Sequence, residues 1–210
     1  MSEPKTEADG IRRIAAGIHG WHLMDERIGA RSDAYAVTDG PHLVLIDPLP
    51  LTAAAETALS KLGQVTAVCL TVSSHQRSAW RYRKYFGARV YAPRGSVALL
   101  EKPDRFYGAR SRLPASLKPV HTPGPVWTHH VLLSPLGGGT LFAGDLLIHL
   151  RAGKLRFMQD QHHEDPALSR ESAESILRLA FRNLCIAHGA PITAGAKQAV
   201  RDALKRDTAG

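Results

Sequence analysis

The segment that decides the fold reads VCLTVSSHQR and occupies residues 68–77. Its first part belongs to an almost wholly apolar run, residues 65–71, which is typical of a strand buried on both faces of a sheet. A helix is predicted over residues 76–86 and ends at Gly87, and a short strand follows at residues 88–92. A strand, a crossover helix and a strand in this order predict parallel pairing within one sheet.

The flanking sequence extends this unit into a layered α/β domain. Two apolar segments, residues 34–37 and 43–46, surround the turn sequence Asp39-Gly40-Pro41 and predict a hairpin. Strands and helices recur in a second group, so we expect two packed sheets with helices on their outer faces. The remaining predicted elements are a helix capped by Thr52 and ending near Leu62, a hairpin of residues 128–133 and 140–143, a helix over 166–183, a strand over 184–187 and a helix over 194–205.

The composition is that of an ordinary globular protein. The 210 residues, 44% hydrophobic and 22% charged, predict a single domain over residues 10–206, with flexible tips at 1–9 and 207–210. No apolar run approaches the roughly 18 residues of a membrane span, and no signal-peptide core is present. We therefore expect a cytoplasmic protein with no membrane contact. Cys69 and Cys185 are too few for a disulfide scaffold and are expected to be buried thiols on neighbouring strands.

Positive charge is concentrated in one part of the sequence. The net charge is +8, and residues 76–118 hold eleven lysines and arginines against only Glu101 and Asp104. Such a segment attracts phosphates and other anions, which makes a small anionic molecule a candidate partner. Nucleic-acid binding through this segment is a weaker alternative because no aromatic stacking motif accompanies it. A solvated basic surface is the plainest interpretation.

Six short motifs follow one another along the chain in a family-like order. They are LVLIDP at residues 43–48, VCLTVSSHQR at 68–77, GARVYAP at 87–93, HTPG at 121–124, LFAGD at 141–145 and AHGAPI at 187–192. In this order and spacing they resemble the metallo-β-lactamase fold superfamily. The resemblance implies a four-layer αββα sandwich and a hydrolase ancestry. It also implies a site for one or two divalent metals, such as zinc, which activate water.

Most metal-ligand positions of that family hold other residues here. Of the seven usual ligand positions, the resemblance leaves only Asp145 and His188 with metal-binding side chains. We therefore expect the dinuclear site to be lost and no cofactor to be bound, while any residual site would hold zinc or another divalent metal. The replaced positions fall at Val72, Ser74, Gln76, Arg77 and Pro125.

Several residues near these positions could rebuild a site. His75 is offset by one residue from a ligand position, so its side chain is expected to point elsewhere; if the loop is shifted, it becomes the third ligand beside Asp145 and His188. A serine nucleophile activated by His75 is a further, weaker alternative. His162 and His163 are expected to be solvated. The residues predicted to line the pocket are Ser73, Ser74, His75, Arg77, His121, His129, Asp145 and His188.

Two hypotheses about function result. The first is a pocket protein without catalysis that binds a small anion; the second is a metallo-hydrolase with a reduced or rebuilt single-metal site that acts on a thioester, lactone or phosphoester. Both require Asp145 and His188 to converge at the end of the 65–71 strand, within about 15 Å of one another. Because a buried carboxylate needs a counter-charge, Arg77 is predicted to contact Asp145 in place of the metal, directly or through one water.

Overall fold

The computed structural model describes residues 2–149 and 153–207, and these contain eleven strands and four α helices. The strands are β1 (Arg12–Ala15), β2 (Ile18–Asp25), β3 (Ala30–Asp39), β4 (His42–Ile46), β5 (Gln64–Cys69), β6 (Arg89–Pro93), β7 (Arg105–Tyr107), β8 (Lys118–His121), β9 (His130–Ser134), β10 (Thr140–Phe142) and β11 (Asn183–Cys185). The helices are α1 (Ala53–Leu62), α2 (Ala79–Phe86), α3 (Pro166–Ile176) and α4 (Ala196–Asp207). None of the described helices is both long and apolar enough to cross a membrane.

Two sheets face each other, and helices cover their outer sides. The first sheet has the strand order β1-β2-β3-β4-β5-β6-β7 and the second the order β11-β10-β9-β8. Val44 and Phe142 meet in the core between the sheets. Leu59 of α1 and Tyr82 of α2 pack on the outer face of the first sheet, and Val200 of α4 packs, with α3, on that of the second. This is the four-layer αββα sandwich that the sequence predicts.

The central predicted unit is confirmed, although its helix starts later than expected. β4, β5 and β6 pair in parallel, and β3 and β4 form the predicted hairpin. Residues Ser73–Gln76 form a turn of 3₁₀ helix, and Arg77 follows with a φ of 31°. A positive φ at a non-glycine residue breaks a helix. The α helix therefore begins at Ala79 and not at residue 76.

The predicted helix over residues 166–183 is also too long. It ends at Ile176, and the chain then turns so that the N–H groups of Arg182 and Asn183 donate to the carbonyl of Gly139, at 2.9 and 3.1 Å. These bonds connect the segment to the start of β10. Pairing with the second sheet therefore overrides the local helical pattern.

The two cysteines are buried, as expected, but on different sheets. Cys69 lies on β5 of the first sheet and Cys185 on β11 of the second, and both contribute to the core between them. The expectation of neighbouring strands is therefore wrong. Burial raises the pKa of both thiols, so these thiols are unreactive packing groups.

The residues before position 10 contact the domain through Ala8. Its N–H donates to the carbonyl of Pro50, and its carbonyl accepts from the N–H of Thr52, both at 3.0 Å. The domain limits of 10 and 206 stay a prediction, and residues 208–210 of the expected C-terminal tip lie outside the described residues.

The first helix begins at a side-chain cap. Thr52 Oγ1 accepts a hydrogen bond from the Ala55 N–H at 3.4 Å. We expect Thr52→Ala to lower the free energy of unfolding by about 1 kcal/mol because an N–H of the first turn loses its acceptor. Thr52→Ser keeps the hydroxyl and should stay near the wild type. Urea unfolding measures both, and equal losses for the two variants would contradict the cap.

Candidate metal centre

Three polar side chains converge where β5, β10 and β11 end. His75, Asp145 and His188 each offer a ligand atom, and these atoms lie within 4.8 Å of one another. Asp145 Oδ1 is 3.1 Å from His75 Nε2 and 3.3 Å from His188 Nε2. The predicted convergence of Asp145 and His188 is therefore confirmed. The expectation that His75 points elsewhere is wrong.

The turn after β5 places His75 in this cluster. Its N–H donates to the Val72 carbonyl at 3.1 Å, which closes the 3₁₀ turn and directs the imidazole inward. The position of Asp145 depends on the turn at Gly144, whose φ is 52°. A Cβ on Gly144 would lie 2.6 Å from His129 Nε2 and 2.7 Å from Thr71 Oγ1, so no larger residue fits without displacing them.

Both imidazoles are held in the tautomer that leaves Nε2 free. His75 Nδ1 is 2.9 Å from Asp47 Oδ2, and His188 Nδ1 is 2.9 Å from the Arg31 carbonyl. Since each Nδ1 has an acceptor, its proton belongs there, and the Nε2 lone pair faces Asp145. The acceptors at Nδ1, Asp47 and the Arg31 carbonyl, thus fix the tautomer of each ring.

Asp145 Oδ1 is the atom at which the cluster is incomplete. It is buried and, within residues 2–149 and 153–207, accepts no well-directed hydrogen bond. The Nε2 lone pairs of His75 and His188 face the Asp145 oxygen, and three hydrogen-bond acceptors this close need a proton or a cation between them. Burial alone and the nearby Arg77 would lower the pKa of His75, but the carboxylates of Asp145 and Asp47 outweigh both and raise it. Burial would raise the pKa of Asp145, yet the imidazoles hold it well below its usual range.

A family model described as the metallo-beta-lactamase superfamily matches residues 14–190, well over half of the chain. The chain belongs to the metallo-beta-lactamase superfamily. No curated protein matches the sequence.

Solved structures of this superfamily share the fold at low sequence identity. The metallo-beta-lactamase DIM-1, exposed to ceftazidime, has a TM-score of 0.75 at 15% identity, over 96% of this chain and 98% of the other. A metallo-beta-lactamase from Pontibacter korlensis has a TM-score of 0.74 at 14% identity, over 95% and 99%. A metallo-beta-lactamase family protein from Thermus thermophilus has 0.67 at 17%, over 92% and 80%.

His75, Asp145 and His188 fit one divalent ion. Two imidazole nitrogens and one carboxylate oxygen are a donor set that zinc accepts, and three protein ligands leave a position for water or substrate. The hydrogen bonds from Nδ1 to Asp47 and to the Arg31 carbonyl are the outer partners that metal-binding histidines commonly have. Among the described residues this is the one group of three or more such side chains close enough to share an ion.

Val72, Gln76 and Pro125 are three of the positions at which the resemblance predicts replaced metal ligands. Val72 and Pro125 are buried and offer no ligand atom on their side chains. The Gln76 amide is used within the fold: its Nε2 donates to the Ala98 carbonyl at 3.0 Å, and its Oε1 accepts from Trp80 Nε1 at 2.9 Å. The Gln76 side chain therefore connects the start of α2 to the loop at Ala98.

Among the described residues Arg77 makes no direct hydrogen bond or ion pair with Asp145, so the direct contact is wrong and a contact through one water stays a prediction. Its Nη1 donates to the carbonyls of Asp33 and Asp47, at 3.0 and 3.2 Å, and the side chain is buried. The left-handed backbone at Arg77 turns the side chain toward these carbonyls. Burial lowers the pKa of Arg77, although the carboxylates of Asp47 and Asp145 act in the opposite direction.

The other predicted pocket residues lie around the cluster or away from it. His129 is buried behind Asp145 and accepts the Asp145 N–H at Nε2, at 3.2 Å; burial lowers its pKa to about 4. His121 contacts the Trp127 carbonyl and does not line the cleft. Ser73 and Ser74 are half-buried, and both nitrogens of His75 face carboxylates. The structure therefore offers no support for a serine nucleophile.

A cleft of about 640 Å³ opens over His75, Asp145 and His188. Its walls include the apolar side chains of Ile28, Ile148 and Phe157. The rim is basic. Arg27 is bound to Asp25, whereas exposed Arg156 has no carboxylate within ion-pair distance in the part of the chain that the structure describes.

Sequence reasoning missed Asp47 as a site residue, and its expectation for the pair His162 and His163 holds for only one of the two. Asp47 directly follows β4 in the LVLIDP motif, and a polar residue at this position indicates a group at the sheet edge. His162 is exposed on the cleft rim, as expected. His163 is buried against Ser169 Oγ at 2.7 Å, so the expectation of solvation is wrong for this residue.

The basic segment is partly neutralised by carboxylates, two from the N-terminal residues and one of its own. Arg81 pairs with Glu3 and Glu7 at 3.1 and 3.0 Å, and Arg83 approaches Asp104 at 3.4 Å. These exposed pairs lower the net field of the α2 surface.

We predict no measurable binding of DNA or RNA at about 150 mM salt. A fluorescence-anisotropy titration tests this, because binding that depends on phosphate contacts weakens steeply between about 50 and 200 mM salt. The triple variant Arg81→Ala, Arg83→Ala and Lys84→Ala should behave as the wild type at physiological salt. Tight, sequence-dependent binding there would contradict the prediction.

Proposed function

We propose that this chain is a metal-dependent hydrolase with a single-ion centre formed by His75, Asp145 and His188. The observation that carries the proposal is the convergence of two Nε2 atoms on a buried Asp145 oxygen that accepts no well-directed hydrogen bond from the described residues. When bound, a divalent ion supplies the Lewis acidity that activates water for hydrolysis.

Other residues of the chain orient the three ligand side chains. Asp47 holds the Nδ1 proton of His75, and the Arg31 carbonyl holds that of His188, so both ligand nitrogens keep their direction without rearrangement. The His129 nitrogen accepts the Asp145 N–H and fixes the backbone at the carboxylate. Preorganised ligands of this kind reduce the cost of reaching the reactive geometry.

The cleft supports an ester-type substrate that has an apolar body and a negative charge. Ile148 and Phe157 give apolar contact beside the centre, and at the rim Arg156 offers a guanidinium that pairs with no carboxylate of the described residues. A guanidinium can hold a carboxylate or phosphate through two parallel hydrogen bonds. Anionic thioesters, lactones and phosphoesters are therefore the classes to assay.

The first experiment measures metal content and its effect on stability. We expect protein incubated with Zn²⁺ and desalted to retain about one ion per chain, and a chelator to lower its melting temperature. His75→Gln should lose the ion, while His162→Gln, a histidine on the cleft rim, should keep it. Substoichiometric metal in the wild type with an unchanged melting temperature in chelator would contradict the proposal.

A metal-free anion pocket is the second candidate, favoured by the raised pKa of His75 and by the three arginines of the cleft. A protonated His75 would satisfy Asp145 without an ion, although burial and Arg77 oppose that proton. Arg27, Arg77 and Arg156 would then attract the ligand.

Calorimetry with inorganic phosphate in the presence of chelator tests this candidate. The variant Arg156→Gln is compared with Arg178→Gln, which alters an exposed arginine that does not line the cleft. Binding that is lost only in Arg156→Gln supports this candidate; no binding rejects it.

A further inference from the structure

Two histidines outside the cleft lie directly opposite each other on neighbouring strands. His121 of β8 pairs with His130 of β9 in the antiparallel register. The next pair carries the ladder hydrogen bond, from the Thr122 N–H to the His129 carbonyl at 3.1 Å. The His121–His130 pair is therefore of the non-hydrogen-bonded kind, in which opposed side chains approach most closely. The two ring centroids are 5.0 Å apart.

Backbone carbonyls set the tautomer of each ring. His121 Nε2 is 2.6 Å from the Trp127 carbonyl, and His130 Nδ1 is 2.9 Å from the Thr128 carbonyl. Each of these nitrogens donates its proton, which leaves a lone pair on His121 Nδ1 and on His130 Nε2. Neither of the two has a hydrogen-bond partner among residues 2–149 and 153–207.

The surroundings favour a neutral His130 ring. Burial lowers the pKa of His130, and the charge of a protonated His121 lowers it further, although the Thr128 carbonyl opposes both. The neutral imidazole is the form that binds metals. An imidazole nitrogen binds a first-row divalent ion at about 2 Å, which brings two rings on one ion to a centroid separation of roughly 5 Å.

We infer that His121 and His130 form a binding site for a late first-row divalent ion, separate from the cleft. Two imidazoles without a thiolate or carboxylate select Cu²⁺ most strongly, followed by Ni²⁺ and Zn²⁺, with water completing the coordination. The inference does not depend on the proposed hydrolase function, because neither histidine lines the cleft.

A neighbouring tryptophan gives a direct measurement. Trp127 is 65% exposed, and its ring centroid is 5.4 Å from that of His121. Cu²⁺ bound at the pair should quench Trp127 fluorescence, whereas Trp21 and Trp80 are buried in the core of the first sheet. We expect Trp127→Phe to remove the Cu²⁺-dependent signal.

The decisive comparison uses variants at both sites. His121→Gln and His130→Gln should each weaken the quenching midpoint at least about tenfold, since one of two protein ligands is lost. His75→Gln removes a ligand of the cleft centre and should leave the Trp127 titration unchanged. His121 is only half-buried, so its variant remains informative if His130→Gln fails to fold. Identical Cu²⁺ titrations for wild type and His121→Gln, or quenching lost only in His75→Gln, would overturn the inference.

Discussion

Replacing Asp145 by asparagine is expected to weaken Zn²⁺ binding at least about a hundredfold. Asp145 Oδ1 lies between both imidazoles, at 3.1 and 3.3 Å, and is the only anionic ligand of the three. Asparagine keeps the shape but removes the charge that balances the dication. Loss of an outer partner alone commonly costs about 10–100-fold in affinity, so loss of a direct ligand costs more.

Competition with a fluorescent Zn²⁺ chelator measures the affinity of this variant. Asp202→Asn, which alters a carboxylate on α4 bonded to Gln198 at 2.9 Å, is the matched control and should bind as the wild type. The metal-dependent increase in melting temperature should disappear in Asp145→Asn for the same reason. Wild-type affinity in Asp145→Asn would remove Asp145 from the centre and reject the proposed hydrolase.

Replacing Asp47 by alanine is expected to cost about 3–5 kcal/mol of stability. The carboxylate is buried, and it accepts from the Thr71 N–H at 2.8 Å, from the Thr71 hydroxyl and from His75 Nδ1 at 2.9 Å. Its removal leaves these donors without acceptors in the interior, and each such group costs about 1–3 kcal/mol. For a chain of this length the loss corresponds to a fall of about 10 °C in melting temperature.

Urea unfolding and calorimetry of the metal-free protein measure this loss. Asp104→Ala is the matched control, because this carboxylate is partly exposed and accepts from the Val90 N–H at 2.9 Å and from Arg83. Its loss should be about 1 kcal/mol. A comparable small loss for Asp47→Ala would show that water replaces the carboxylate, and the proposed role in orienting His75 would then lack support.

Local pattern was sufficient for most of the fold. Most of the apolar run at residues 65–71 forms β5, and its residues are buried except for half-buried Thr66, as expected for a strand covered on both faces. Thr52 caps α1 as expected, since the cap depends only on residues within one turn. The end of α3 could not be read in the same way, because the Gly139 carbonyl that receives the Arg182 and Asn183 N–H groups is about 40 residues away in the sequence.

The order of the motifs in the sequence already indicated that Asp145 and His188 meet at one edge of the sandwich, because each follows a predicted strand at a ligand position of the family that the chain resembles. Only the tertiary structure decided what stands beside them. A single left-handed residue at Arg77, with φ of 31°, separates the 3₁₀ turn from α2. That rotation brings His75 into the cluster and turns Arg77 to the carbonyls of Asp33 and Asp47. Side-chain direction in a loop follows from such dihedral angles, which periodicity and motif position do not encode.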